Sequence, residues 1–328
     1  MKIYIDGWFI SLMTQPYTFF DDVTTIPNDC DIIGITFYNN YFKEHTKVIH
    51  KLSQKTKQLI VNVSEPTLPL RQFLKNNQLH NVQLFGDAVL NYNEPNWNTI
   101  VSWFIGPENF YATKPWAQSL LQQLTPWRHK QATHKFDALL GKAKANRDWL
   151  YNACQTSNYR EQILLSYYGK LPSLDKMILP RDIGPIDFFH NTTYQGNTVN
   201  LAWMLPVDVY NNSWYSIVAE TTHMNEHSQY TEKVGKPMVA GRPFVAFAGQ
   251  HYLQNLRSLG FKTFADVIDE SYDSVADFDQ RMTQAWQQVE WLCTQDPHQV
   301  YRALEPILEH NRRHFIETDW HAAIRKYL

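Results

Sequence analysis

The chain is short of cysteine, of net charge and of long apolar runs, and each shortage argues against a class of protein. Three cysteines, Cys30, Cys154 and Cys293, stand far apart in 328 residues with no Cys-x-x-Cys. That spacing argues against a disulfide framework and a zinc site and fits a reducing compartment. Thirty Lys and Arg face 32 Asp and Glu, a formal net charge of −2. A surface built as a whole to grip nucleic acid would be basic, so only a local basic cleft stays open. No window approaches 18 uninterrupted apolar residues, so no transmembrane segment is expected. The N-terminus enters a strand-like run at once, Lys2-Ile3-Tyr4-Ile5 and then Asp6, without the apolar stretch of a secretory leader. The expected location is cytoplasmic, with membrane-surface contact left open and the oligomeric state unread. Internal repeats and low-complexity segments are also missing.

What is present is enough apolar material, 44%, for two cores of about 150 residues each. Aromatic residues are abundant, with 11 Trp, 18 Tyr and 18 Phe. Most fill cores, although aromatics also line sites for sugars and bases. Short β-branched and aromatic runs recur: Ile3–Ile5, Ile32–Phe37, Leu59–Val63, Val82–Phe85 and Ile100–Phe104. Runs of this length suit buried parallel strands. The lysine-rich stretch Phe42–Lys57 reads as a helix between the second and third. Residues 113–134, with Pro115 and Pro126, read as a linker. A second series follows: strand Phe136–Gly141, helix Ala145–Cys154, strand Ile163–Tyr168, an irregular stretch over 170–212, then Tyr215–Ala219, Val239–Ala240 and Phe244–Phe247. Met282, Trp286, Val289 and Cys293 form one helical stripe. Val300, Leu304, Ile307 and Phe315 form another, with a kink or restart expected at Pro306. The tail Trp320–Leu328 also reads as helical. The expected fold class is α/β, with an N-terminal Rossmann-like domain over 1–130, a C-terminal one over 131–310 and a helical tail over 311–328. Two such series in tandem suggest the two-lobed architecture called GT-B, with a cleft between facing sheet edges.

Two constellations carry chemistry. Leu140-Gly141-Lys142-Ala143-Lys144-Ala145-Asn146-Arg147 is strand, glycine, basic loop and helix start. A helix N-terminus presents unpaired N–H groups and a positive dipole end, which suit a phosphate. Gly141 allows close approach, Arg147 can hold a pyrophosphate through its fork, and Lys142 can act as a point charge. Lys144 is expected to face solvent. Six basic residues and one acid lie between Arg128 and Arg147, which a solvated linker would also explain. The second constellation begins at Glu220, which ends the strand Tyr215–Ala219. Carboxylates at such an edge bind ribose or sugar hydroxyls. After a loop expected to be flexible, Thr221–Gln229, comes Tyr230-Thr231-Glu232-Lys233. Thr231 reads as an N-cap, with Glu232 and Lys233 in the first turn. A cation placed there against the dipole hints at an anionic ligand; an ordinary capped helix with an exposed lysine is the bland alternative. His223 and His227 in the preceding loop are the histidines best placed to meet a ligand.

The order Tyr215–Glu220, Tyr230–Lys233, Pro243–Gly249 resembles the donor-binding half of α1,3-fucosyltransferase-like enzymes, with their Phe-Glu-Asn segment, Val-Thr-Glu-Lys motif and Pro-Val/Ile strand ending in Gly. Ala219-Glu220-Thr221 stands here for Phe-Glu-Asn, and Val234-Gly235-Lys236-Pro237 for the usual aromatic helix start. The chain is also similar to uncharacterised glycosyltransferase-like proteins of phages and bacteria, through Gly141–Arg147, Leu259–Phe264 and Asp269–Asp273. The likeness covers roughly residues 136–281. It implies that Glu232 and Lys233 contact the ribose and phosphates of a nucleoside diphosphate sugar, a co-substrate rather than a cofactor. Tyr230 and Thr231 belong to the same donor-binding motif.

The implied reaction is sugar transfer to a hydroxyl, with direct displacement inverting the anomeric centre. Arg147 and Lys233 would steady the departing diphosphate, and a carboxylate of the N-terminal half would take the acceptor proton. Glu65, in Val63-Ser64-Glu65-Pro66, is the first candidate base, and Asp6 and Asp87 stand at similar strand ends. Each also reads as a turn or helix cap. No Asp-x-Asp occurs between strands in the manner of metal-dependent transferases, so no obligatory metal is expected. Asp269-Glu270-Ser271-Tyr272-Asp273 reads as a loop and helix cap. The acceptor is expected to be a glycan. Two alternatives remain: modified bases of phage DNA, with Lys43, Lys47, Lys51, Lys55 and Lys57 meeting phosphates, and a non-catalytic nucleotide-sugar or carbohydrate-binding protein.

Overall fold

The computed structural model describes residues 1–6, 16–37, 42–63, 72, 76–77, 79–86, 88–93, 97–100, 111–169, 191–200, 203–320 and 322–327. The protein is α/β, with parallel sheets and no helix long and apolar enough, among the described residues, to cross a membrane. It divides into two compact units, Met1–Ser102 with Asp319–Leu328, and Trp103–Thr318.

The first unit contains β1 (Ile3–Ile5), β2 (Thr18–Phe19), β3 (Cys30–Phe37), α1 (Phe42–Ser53), β4 (Thr56–Val63), β5 (Val82–Gly86), β6 (Ala88–Leu90) and β7 (Trp97–Thr99). Six of the strands form a parallel sheet in the order β2-β1-β3-β4-β5-β7. Side chains alternate between its faces. Ile33, Ile35, Leu59, Val61 and Val63 pack with Ile49 and Leu52 of α1 on one face. Ile32, Ile60, Ile3, Ile5 and Phe85 pack on the other. Both faces are therefore covered, which is why these strands read as unbroken apolar runs. Each such buried Ile or Val contributes roughly 1.5–3 kcal/mol. The run expected over Ile100–Phe104 begins at a buried Ile100 outside any strand; residues 101–104 lie outside the described residues, and the neighbouring strand is β7.

The second unit runs α2 (Pro115–Gln122), β8 (His134–Lys142), α3 (Ala145–Thr156), β9 (Ile163–Gly169), β10 (Asn191–Tyr194), β11 (Asn197–Asn200), α4 (Val207–Asn212), β12 (Ser213–Ala219), β13 (His227–Gln229), α5 (Glu232–Val239), β14 (Phe244–Phe247), α6 (Tyr252–Ser258), α7 (Phe278–Thr294) and α8 (Pro297–Glu317). The short helix α9 (Ala322–Arg325) in the tail belongs to the first unit. Strands β14-β12-β8-β9 form a parallel sheet in that order. The chain passes from β8 to β9 on one side and later returns to place β12 on the other. The order therefore reverses between β8 and β12, and ligands of open α/β sheets bind beyond the carboxyl ends of the strands at such a point.

Several elements differ from expectation. The linker over 113–134 holds α2, because Pro115 sits at its first turn, where a missing N–H costs nothing. Trp116, Ala117 and Leu120 of α2 are buried. Val239 ends α5 rather than forming a strand. Within the stretch read as irregular, β10 and β11 form an antiparallel hairpin. Helix α8 continues through Pro306, whose ring lies on the exposed side, and Leu308 rather than Ile307 completes its buried stripe. All three cysteines are buried free thiols.

Candidate functional site

The carboxyl edge of the second sheet gathers most of the residues singled out from sequence. Helix α3 follows β8 after two residues, and Lys144 is its N-cap. The Lys144 ammonium donates to the Thr221 carbonyl at 2.8 Å, so this side chain is drawn into the site rather than facing solvent. Arg147, in the first turn, is 5% exposed. Its guanidinium lies against Gly141, where an added Cβ would stand 3.4 Å from Nη1. Burial pushes its pKa down, while Glu220, Glu232 and Tyr167 oppose the shift, which places those groups around it. The backbone of Lys142 ends β8; its side chain lies outside the described residues.

Glu220 follows β12 directly and is fully buried. It accepts from Thr221 N at 3.1 Å, Thr231 N at 3.2 Å, the Thr231 hydroxyl at 2.7 Å and the Tyr252 hydroxyl at 3.0 Å. Four donors occupy the lone-pair positions of a carboxylate. Glu220 therefore braces the loop and the start of α5, instead of reaching for ribose as expected. Burial raises its pKa against the pull of Lys233 and Thr231. Tyr230 is likewise withdrawn: it is fully buried, donates to the Tyr252 carbonyl at 2.6 Å and packs on the Tyr252 ring at 4.7 Å.

Thr231 is the N-cap of α5, its hydroxyl accepting from Lys233 N at 3.3 Å. The next two side chains keep partial exposure, 16% for Glu232 and 23% for Lys233, and pair at 2.7 Å. Lys233 also donates to the Thr221 hydroxyl at 3.3 Å. Lys144 from the β8–α3 turn and Lys233 from α5 thus meet at one residue, Thr221, at the switch point. Burial alone would push the Glu232 carboxyl up, but Lys233 and Lys236 hold it below its ordinary value. Lys236 is pushed down to about 8, by burial first and by Lys233, against the pull of Glu232. Four cations, Lys144, Arg147, Lys233 and Lys236, therefore surround two carboxylates, and the N-termini of α3 and α5 add their N–H groups.

Sequence reasoning missed what holds this arrangement. Asn146 is fully buried and donates to the Glu220 carbonyl at 3.0 Å and the Phe247 carbonyl at 3.1 Å, tying α3 to the ends of β12 and β14. Arg281 of α7 is 2% exposed and donates to the carbonyls of Ala248, Val275, Ala276 and His223. Asn225 joins Ala276 and Gln250. The segment expected to be flexible is therefore tied down over 223–225. At Gly249 an added Cβ would overlap the Met224 carbonyl, so the glycine closing the β14 run is what lets this loop pass. Burial, with Lys144, Arg281 and Arg147 nearby, lowers the His223 pKa. The signal for Arg281 was a charged residue inside an apolar helical stripe.

Elsewhere, Asp273 caps α6 through Leu253 N and Gln254 N at 2.8 and 2.9 Å, and Glu270 accepts from Phe264 N at 2.6 Å, so the acidic cluster acts as loop and helix cap. In the first unit, Asp6 stands at the carboxyl end of β1 between β2 and β3 and accepts from the Thr36 N–H and hydroxyl. Glu65 and Asp87 lie outside the described residues. Of the lysines considered for DNA, Lys57 pairs with Asp31 at 2.7 Å and Lys55 donates to the Ile26 carbonyl.

No protein-family model matches the chain, and no curated protein does.

Proposed function

We propose that the protein is a glycosyltransferase that moves a sugar from a nucleoside diphosphate sugar to a hydroxyl acceptor. The observation that carries this reading is the convergence of Lys144 and Lys233 on Thr221 at the switch point of the second sheet. Arg147 against Gly141 and the N-termini of α3 and α5 support it. A diphosphate needs clustered cations and N–H donors, and it gathers charge as the sugar leaves. Glu232 keeps partial exposure at this edge and takes the ribose contact that the resemblance implies for it.

In the reaction, the acceptor oxygen attacks the anomeric carbon, the bond from that carbon to the diphosphate breaks, and the acceptor proton passes to a carboxylate of the N-terminal half. Displacement of this kind inverts the anomeric centre. The lysine and arginine cations meet the leaving group's charge, so the reading assigns no obligatory metal. The GT-B arrangement belongs to the same proposal, as does the resemblance to α1,3-fucosyltransferase-like enzymes.

Calorimetry with UDP, GDP, CMP and TDP sugars should identify one donor with saturable binding. Lys233→Ala should then weaken that donor roughly tenfold to a hundredfold, the value of a charge-assisted hydrogen bond. Unchanged affinity would remove Lys233 from the diphosphate site.

A further inference from the structure

A second site lies at the opposite edge of the same sheet. Its lining comes from the segments that enter β8, β12 and β14, namely 124–130, 210–211 and 239–242, together with Leu121 of α2 and with α8. They enclose a cavity of about 660 Å³, the size of a small-molecule site. Part of its wall is apolar and aromatic: Leu121, Leu124 and Leu308 face it with Trp127 and Tyr301, whose rings stack at 5.8 Å.

Lys130 lines this cavity while only 5% exposed. Its ammonium lies 5.5 Å from the centre of the Trp214 ring, and among the described residues no carboxylate stands within ion-pair distance of it. Two other cations here are paired. Arg242 pairs with buried Asp137 at 2.7 Å and spends its remaining N–H groups on Ser216, Tyr210, Ser213 and Tyr215. Arg128 pairs with Glu305, and Glu309 and Arg312 are the remaining charged lining residues. The phenols of Tyr210 and Tyr301 are pushed up by burial and stay neutral. Burial and Arg242 push the Lys130 ammonium down to about 6, against a weaker pull from Asp137. A buried ammonium without a counter-charge is costly, and an anion brought to it recovers that cost.

We infer that this cavity binds a small organic anion with a flat apolar body, its acidic group on Lys130 and its body between Trp127, Tyr301 and the leucines. The site is independent of the donor crevice. Binding takes up a proton at Lys130, so affinity falls as pH rises above neutrality.

The test uses the full chain with 1-anilinonaphthalene-8-sulfonate as an aromatic anion and N-phenyl-1-naphthylamine as the same ring system without the sulfonate, both followed by fluorescence. The sulfonate should bind with one-to-one stoichiometry. Its affinity should fall at least tenfold between pH 7 and 9, where the probe itself does not titrate. Lys130→Met, close in shape and checked for folding by circular dichroism, should weaken the sulfonate at least tenfold, abolish its pH dependence and leave the neutral probe unchanged. Equal binding of the sulfonate by the wild type and Lys130→Met, or equal pH profiles in the two, would overturn the inference. If Lys130→Met fails to fold, the pH profile of the wild type decides: a flat profile overturns it.

Discussion

Lys130 and Lys233 show how surroundings give one residue type two kinds of work. Lys233 has Glu232 at 2.7 Å and keeps 23% of its side chain exposed, so it can exchange a protein partner for a ligand oxygen. Lys130 is nine-tenths buried without such a partner, and desolvation dominates. For a base whose pKa is depressed on folding, the unfolded chain binds more protons between about 6 and the ordinary lysine value. Wild-type stability therefore rises with pH across that window and is lost as pH falls through it. Lys130→Met lacks this loss. It should exceed the wild type in stability by a margin that grows as pH falls from 10 to 6, by up to about 1.4 kcal/mol per pH unit. Urea titrations at pH 6, 8 and 10 measure the margin, and a pH-independent margin would show that Lys130 titrates normally. At this scale sequence marked the N-cap Thr231, but it expected Lys144 to face solvent, where the structure turns it onto the Thr221 carbonyl. It could not separate Glu232, which keeps exposure, from Glu220, which four donors enclose, because enclosure depends on Tyr252, 32 residues away.

Among the elements, strands and long helices were legible because both sheets are parallel and buried, so apolar runs mark them directly. The segment after β12 was not. It is polar, which reads as mobile, yet Arg281, Asn225 and the bare backbone of Gly249 fix it. A side chain at Gly249 would meet the Met224 carbonyl, and backbone cannot yield as a side-chain tip can. Gly249→Ala should destabilise the fold by about 1–3 kcal/mol and weaken donor binding by shifting the loop that carries Thr221. Hydrogen exchange should quicken over 221–226 while β8 stays protected. Unaltered exchange in that loop would place the strain elsewhere. Helix α2 was missed for a related reason: Pro115 punctuates a chain when read alone, but at a first helical turn it is compatible with the fold.

For the molecule as a whole, the proposed reaction divides its tasks along the chain: the donor on the second unit, the acceptor proton on a carboxylate of the first. Glu65→Gln should therefore abolish transfer while donor affinity, measured by calorimetry, stays within about twofold. Near-normal turnover would shift the role to Asp6 or Asp87. Composition and apolar periodicity alone determined the α/β class, the parallel strands and the basic turn before α3, because these follow from neighbours within a few residues. Only the tertiary structure decided which charges meet. The strand order β14-β12-β8-β9 brings Lys144 and Lys233, 89 positions apart in the chain, onto Thr221, and the same order sets Lys130 in a cavity at the other edge. Burial and electrostatic pairing depend on distance in space, and sequence spacing does not encode it.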